Sequence, residues 1–233
     1  MSGIEYKAED LAPLVLFADN HLLAVNKPAG LLSQDSGTGL RNLEDWAREW
    51  VRVDKNKPGA VFLNAVHRID KAVSGVVLFA RTSKALSRLN EDIRARACRK
   101  IYHALVEGAP GKPAGELVHW LSHEDHRAEI CRQGDQGARR AALRYVTLRN
   151  VGKLSLLEID LETGRYHQIR AQLAALGTPI AGDVKYGAAA KAKDGAIALH
   201  HRRLEVTHPT LKEPVVIEAP YACLLYTSQS PRD

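Results

Sequence analysis

Apolar positions alternate with polar ones in some stretches and recur at helical spacing in others, and the switches between these patterns divide the chain into elements. LVLFADNHLLAVNKPAG (14–30) predicts two short strands around an Asp19-Asn20 turn, closed by a Lys-Pro-Ala-Gly break. Between Leu40 and Val53, the residues Leu40, Leu43, Trp46, Ala47, Trp50 and Val51 keep helical spacing, which assigns the tryptophans to a core. GVVLFA (75–80) reads as a buried strand, and Thr82 or Ser83 caps a helix running to about Ala97 with Ala85, Leu86, Leu89 and Ile93 on one face. KIYHALVEG (100–108) alternates like a strand, and Ala141 to Leu161 predicts two more, broken at NVGK. TGRYHQIRAQLAALG (163–177) predicts a helix with Thr163 near its start and Gly177 as its terminator. Strands and helices are interspersed without strict alternation, which favours a mixed α+β sheet over a doubly wound parallel one.

At 233 residues and 45% hydrophobic content, the chain suits one substantial soluble domain. The three cysteines, Cys98, Cys131 and Cys223, have no CxxC spacing, which argues against a disulfide framework, a zinc ribbon or a redox dithiol and fits a reducing, cytoplasmic setting. The acidic N-terminal stretch lacks the features of a signal peptide, and no apolar run is long enough to span a bilayer, so no membrane partner is expected. A net charge of +6 favours a polyanionic partner, with cations concentrated in RARACRK (94–100) and RRAALRYVTLR (139–149). Solvated helix and strand faces explain each of those runs equally well.

Candidate chemistry gathers in a few places. AVHRIDKAVSGVVLFA (65–80) sets His67, Arg68 and Asp70 on the threshold of a core strand. RKIYHALVEG puts Tyr102 on a strand, GRYHQIRAQLAALGTPIAGDVKYG brings Arg165, His167, Gln168 and Arg170 near a helix start, and VNKPAGLLSQ stands near the N-terminus. Taken alone, Arg68 and Asp70 form a surface ion pair as readily as a catalytic site, Tyr102 suits a core, and Arg170 sits at the edge of an apolar helix face.

Together these stretches resemble the RluA family of RNA pseudouridine synthases, and the resemblance runs from about Leu14 to Pro220. The sequence departs from the family at Ile69 and Val73, where leucine and threonine are usual, and at Gln172, where the family often carries histidine. The resemblance implies an α+β fold with a mixed, largely antiparallel sheet, flanking helices and a central RNA-binding cleft. It implies a single catalytic domain over 1–222, without a small RNA-binding domain in front, that isomerises uridine in ribosomal or transfer RNA after base flipping. It assigns Asp70 the catalytic carboxylate, Arg170 the basic residue that pairs with it, and Tyr102 the aromatic that stacks on the extruded uracil. Arg68, Arg165, His167 and Gln168 are then RNA-binding, Lys27 and GDVKYG structural. No cofactor or metal is implied, and a monomer is expected.

Two rival readings follow from the same residues. His119, His123 and His126 with Glu124 and Asp125 would suit zinc if they shared a helical face, but they stand among turns and edge strands. A non-catalytic RNA-binding protein on the same fold would keep the basic balance. CLLYTSQSPRD (223–233) resembles translated adaptor sequence and is expected to be a non-native tail, a native disordered one being the alternative.

Overall fold

A computed structural model describes residues 7–221 apart from 55, 57, 58 and 193. The expected tail lies outside the described residues. The described residues divide into two compact units, one of 7–98 with 203–220, the other of 99–202 with Tyr221.

In the first unit β1 (Val15–Ala18) pairs antiparallel with β2 (Leu22–Lys27), and β2 with β4 (Ser74–Ala80). The turn between β1 and β2 closes because the Asp19 carboxylate accepts from the amides of His21 and Leu22. β3 (Asn64–Ala65) also pairs with β4, whose seven residues are all buried. Helix α1 is Leu43–Asp54, and α2 is Ser83–Arg94, started by Thr82, whose hydroxyl accepts from the Ala85 amide. The predicted face of α2 is the one that packs: Ala85 and Leu89 join Leu22, Ala24, Val76, Leu78 and Ala80 in one core, with Leu86 and Ile93 at its margin.

The second unit is an antiparallel sheet whose neighbouring strands are not all consecutive in the chain. β5 (Arg99–Glu107) pairs with β9 (Leu154–Leu161), β9 with β8 (Arg139–Val151), β8 with β6 (Ala114–Glu124), and β6 with β7 (Arg127–Cys131). Helix α3 covers Gln168–Ala175 and starts five residues later than the pattern predicts, because residues 163–165 are irregular, Tyr166 and His167 form a turn, and His167 takes a left-handed conformation with φ 47°. Gly177 (φ 82°) ends it as expected, a geometry that disfavours a side chain. β10 (Leu199–Thr207) contains the boundary between the units, and its first-unit part pairs with β11 (Pro214–Glu218). Among the described residues no helix is long and apolar enough to cross a membrane.

Candidate active site

In the first unit, the segment between β3 and β4 carries Arg68, exposed, and Asp70, half-buried. Its main chain is clamped on both sides of the aspartate. The Ser33 hydroxyl donates to the Ile69 carbonyl at 2.8 Å and accepts from the Ile69 amide at 3.1 Å. After the aspartate, the Lys71 carbonyl accepts from the Gly30 amide at 2.7 Å and from Lys27 Nζ at 3.3 Å. A turn from the Val73 amide to the Asp70 carbonyl completes the loop. His67 Nε2 accepts from the Leu78 amide, so this ring nitrogen carries no proton and the imidazole is anchored to β4.

Lys27 has no solvent exposure, and its ammonium also donates to the carbonyls of Pro28 and Leu31. Burial pushes its pKa down to about 7, against the opposing pull of the Asp70 carboxylate. Pro28 and Gly30 bend the chain so that KPAGLLS becomes the frame on which the HRID loop rests.

In the second unit, Arg170 on α3 is buried and holds Asp183 through a two-point fork, Nε to Oδ2 at 2.7 Å and Nη2 to Oδ1 at 2.8 Å. Asp183 is itself 2% exposed, so both charges are desolvated and depend on each other. Gly182 (φ 88°) places it, and a Cβ there would come within 3.0 Å of the Ala196 carbonyl. The Arg170 guanidinium also lies 4.9 Å from the centre of the Tyr186 ring. The Tyr186 hydroxyl meets His167 Nδ1 at 2.9 Å and accepts from the Ala128 amide at 2.8 Å, tying α3 to β7. Burial first, then the charges of Arg170 and Lys185, drive the His167 pKa down to about 3, so the ring is neutral.

Asp70 and Arg68 therefore share one loop of the first unit, while Tyr102, Arg165, His167, Gln168 and Arg170 belong to the second. Tyr102 is buried in β5, with His201 stacked on its ring at 4.4 Å between centroids. Arg165 is exposed, as a phosphate contact requires. His167 and Gln168, expected at that same phosphate site, are buried instead. The Gln168 amide accepts from the Thr163 hydroxyl and the Arg165 amide and donates to the Ala142 carbonyl, so it builds the turn into α3. Gln172 is fully buried, its Nε2 reaching the carbonyls of Leu117 on β6 and Ala141 on β8. The histidines weighed as zinc ligands stand on a strand and its turn and share no helical face, and no metal-holding cluster exists among the described residues. Ser33, Asp183, Tyr186 and His201 were not singled out from sequence, although Asp183 and Tyr186 stand inside the GDVKYG stretch.

Comparison with known proteins places this geometry. Residues 21–175 match the family model for RNA pseudouridylate synthase, and the chain belongs to that family, a class of RNA isomerases. It is 33% identical over 213 residues to an uncharacterized RNA pseudouridine synthase of Bacillus subtilis, covering 89% of this chain and 68% of that protein. It is 34% identical over 232 residues to ribosomal large subunit pseudouridine synthase D of Xanthomonas campestris, covering 91% and 67%. Among solved structures, human RNA pseudouridylate synthase domain containing 4 shares the fold with a TM-score of 0.80 at 23% identity, over 95% of this chain and 93% of that one. The α+β expectation is thereby met, with the strand pairs described above antiparallel.

Proposed function

We propose that the protein isomerises particular uridines of structured RNA to pseudouridine, with ribosomal RNA as its substrate and Asp70 as the reacting carboxylate. The observation that carries this reading is the double clamp on Asp70, with Ser33 on the residue before it and Lys27 and Gly30 on the residue after. A group that must meet a reacting atom gains rate from being held in place before substrate arrives. The relatives named for the ribosomal large subunit favour ribosomal over transfer RNA.

In the reaction the N1–C1′ bond breaks, the uracil turns, and C5 joins C1′; the C5 proton leaves to solvent and N1 takes one up. A carboxylate serves as nucleophile or as base on the ribose. The uridine must first leave its stack, and Tyr102, backed by His201, offers an aromatic face worth about 1–3 kcal/mol of stacking. The family resemblance gives Arg170 the part of the cation that keeps the carboxylate charged, and its guanidinium is held in place by Asp183. Arg68 and Arg165, both exposed, take the RNA backbone. The family's isomerase chemistry and the positioning of the loop together weigh against a purely RNA-binding role.

The test is tritium release from RNA labelled at uridine C5, with ribosomal and transfer pools assayed separately. Wild type is expected to release tritium from the ribosomal pool, and a folded Asp70→Asn variant to release none while still binding RNA. Absence of release from both pools by folded wild type overturns the reading, and release from transfer RNA alone reassigns the substrate.

A further inference from the structure

The tip of the β6–β7 hairpin is unusual for what holds it. Its turn residues Asp125 (φ 43°) and His126 (φ 58°) both take left-handed backbone conformations, in a position where Asn-Gly or Asp-Gly is the ordinary choice. Such strain persists only where the surroundings impose it. Here the His126 carbonyl accepts from Lys185 Nζ at 2.6 Å and from the Tyr166 hydroxyl at 3.3 Å, which docks the hairpin tip onto the turn before α3.

That docking assembles a column of rings. The buried His167 imidazole stacks on Tyr166 at 3.9 Å between centroids and 20° between planes, and Tyr166 meets His123 at 4.2 Å and 44°. Tyr166 is 39% exposed and His123 is exposed. Among the described residues the His123 side chain makes no other contact of these kinds, so nothing else fixes it. Two cations adjoin the same segments, Arg165 next to Tyr166 in the chain and Lys185 bonded to the hairpin tip. Lys185 and Arg165 are exposed and anchored on main-chain carbonyls, those of His126 and Arg140, and neither forms an ion pair among the described residues. Their charge is thus held in place without being neutralised by a carboxylate, as a phosphate would require. Exposed rings with pinned cations adjoining the same segments supply the chemistry that binds an unpaired nucleotide: a base stacks, and its phosphates meet the charges.

We infer that His123 and Tyr166, with Lys185 and Arg165, form a subsite for an unpaired nucleotide of the RNA substrate other than the uridine being isomerised. This rests on the proposed RNA isomerase activity and adds a second point of RNA recognition to it. The subsite selects RNAs in which the target is accompanied by an unstacked neighbour, a requirement of shape more than of base identity.

The experiment uses the full chain and large-subunit ribosomal RNA fragments carrying 4-thiouridine, with affinity, tritium release and photo-crosslinked peptides read on the same preparations. Tyr166→Leu and His123→Ala are each expected to weaken binding roughly tenfold and to raise KM with kcat nearly unchanged. Tyr166→Phe keeps the ring and loses the hydroxyl bond to His126, so it is expected to recover most of that loss. Lys185→Gln is expected to lower the salt dependence of binding by about one phosphate contact. Crosslinks in wild type should fall within 119–127 or 164–170. Equal losses in Tyr166→Phe and Tyr166→Leu would make Tyr166 a structural tie and overturn the subsite, as would wild-type affinity in His123→Ala. Crosslinked, ring-dependent binding by a wild type that releases no tritium would sustain the subsite and overturn the isomerase reading instead.

Discussion

Around Asp70, the first unit fixes its loop through main-chain groups: Ser33, Gly30 and Lys27 bond to the peptide units on either side of the aspartate. Around Arg170, the second unit fixes a side chain through another side chain, with Asp183 gripping the guanidinium and Tyr186 beneath it. The first arrangement directs the Asp70 carboxylate by holding the main chain on either side of it. The second spends a whole carboxylate on keeping one buried cation in position, which makes it rigid and costly to break. A loop held by its main chain and a corner held by a side-chain fork thus rest on different supports.

Breaking the corner should have the largest effect. Asp183→Asn keeps the shape of the side chain but takes the charge out of the buried fork, and about 3–5 kcal/mol of stability is expected to be lost in denaturant unfolding. An effect below about 1 kcal/mol would mean that the fork contributes little to the second unit. Ser33→Ala attacks the loop instead. It strips a partner from both polar groups of the buried Ile69 peptide and is expected to cost about 1–3 kcal/mol. Since Ser33 acts through the loop, kcat should fall while KM for RNA holds; a change in KM alone would assign it to binding.

The two regions should also separate by pH. His167, at about 3 in the folded chain against an ordinary 6.5, stays neutral where the unfolded chain is protonated. Stability therefore falls as pH drops from about 6.5 towards 3, with a slope of at most about 1.4 kcal/mol per pH unit from this group, and His167→Gln should flatten that limb. Lys27 acts in the opposite range. It loses its proton near 7 when folded but near 10.5 when unfolded, so its contribution to stability rises with pH between those values, and Lys27→Met should flatten that rise. Chemical-denaturation curves across pH distinguish the two limbs. The smallest effect is expected from Gly177→Ala, about 1 kcal/mol, for a side chain at φ 82° where α3 stops.

Elements with a clear period were legible in the sequence. The apolar run that opens LLAVNK, the apolar run of β4 and the Thr82 cap of α2 each state a local preference that the fold keeps. The start of α3 was misread because GRYH fits helical spacing, while the carbonyls and hydroxyls that hold Gln168 and turn His167 belong to β8, Thr163 and Tyr186. β10 was not predicted, since the buried His200 and His201 interrupt its apolar pattern. The supports of the candidate site were harder still. Ser33 meets Ile69 from 36 residues away and Asp183 meets Arg170 from 13, and no local pattern announces such a partner. The motif stretches named Asp70 and Arg170, but only the fold shows what steadies them.

Lys27 has a further use that follows from its complete burial beneath three carbonyls. An amine so enclosed can meet an acylating reagent only when the KPAG segment lifts from the HRID loop, so its modification is gated by local opening. Its labelling rate, set against that of the exposed Lys71 next to Asp70, is therefore a clock for how often the loop comes undone in the otherwise folded protein.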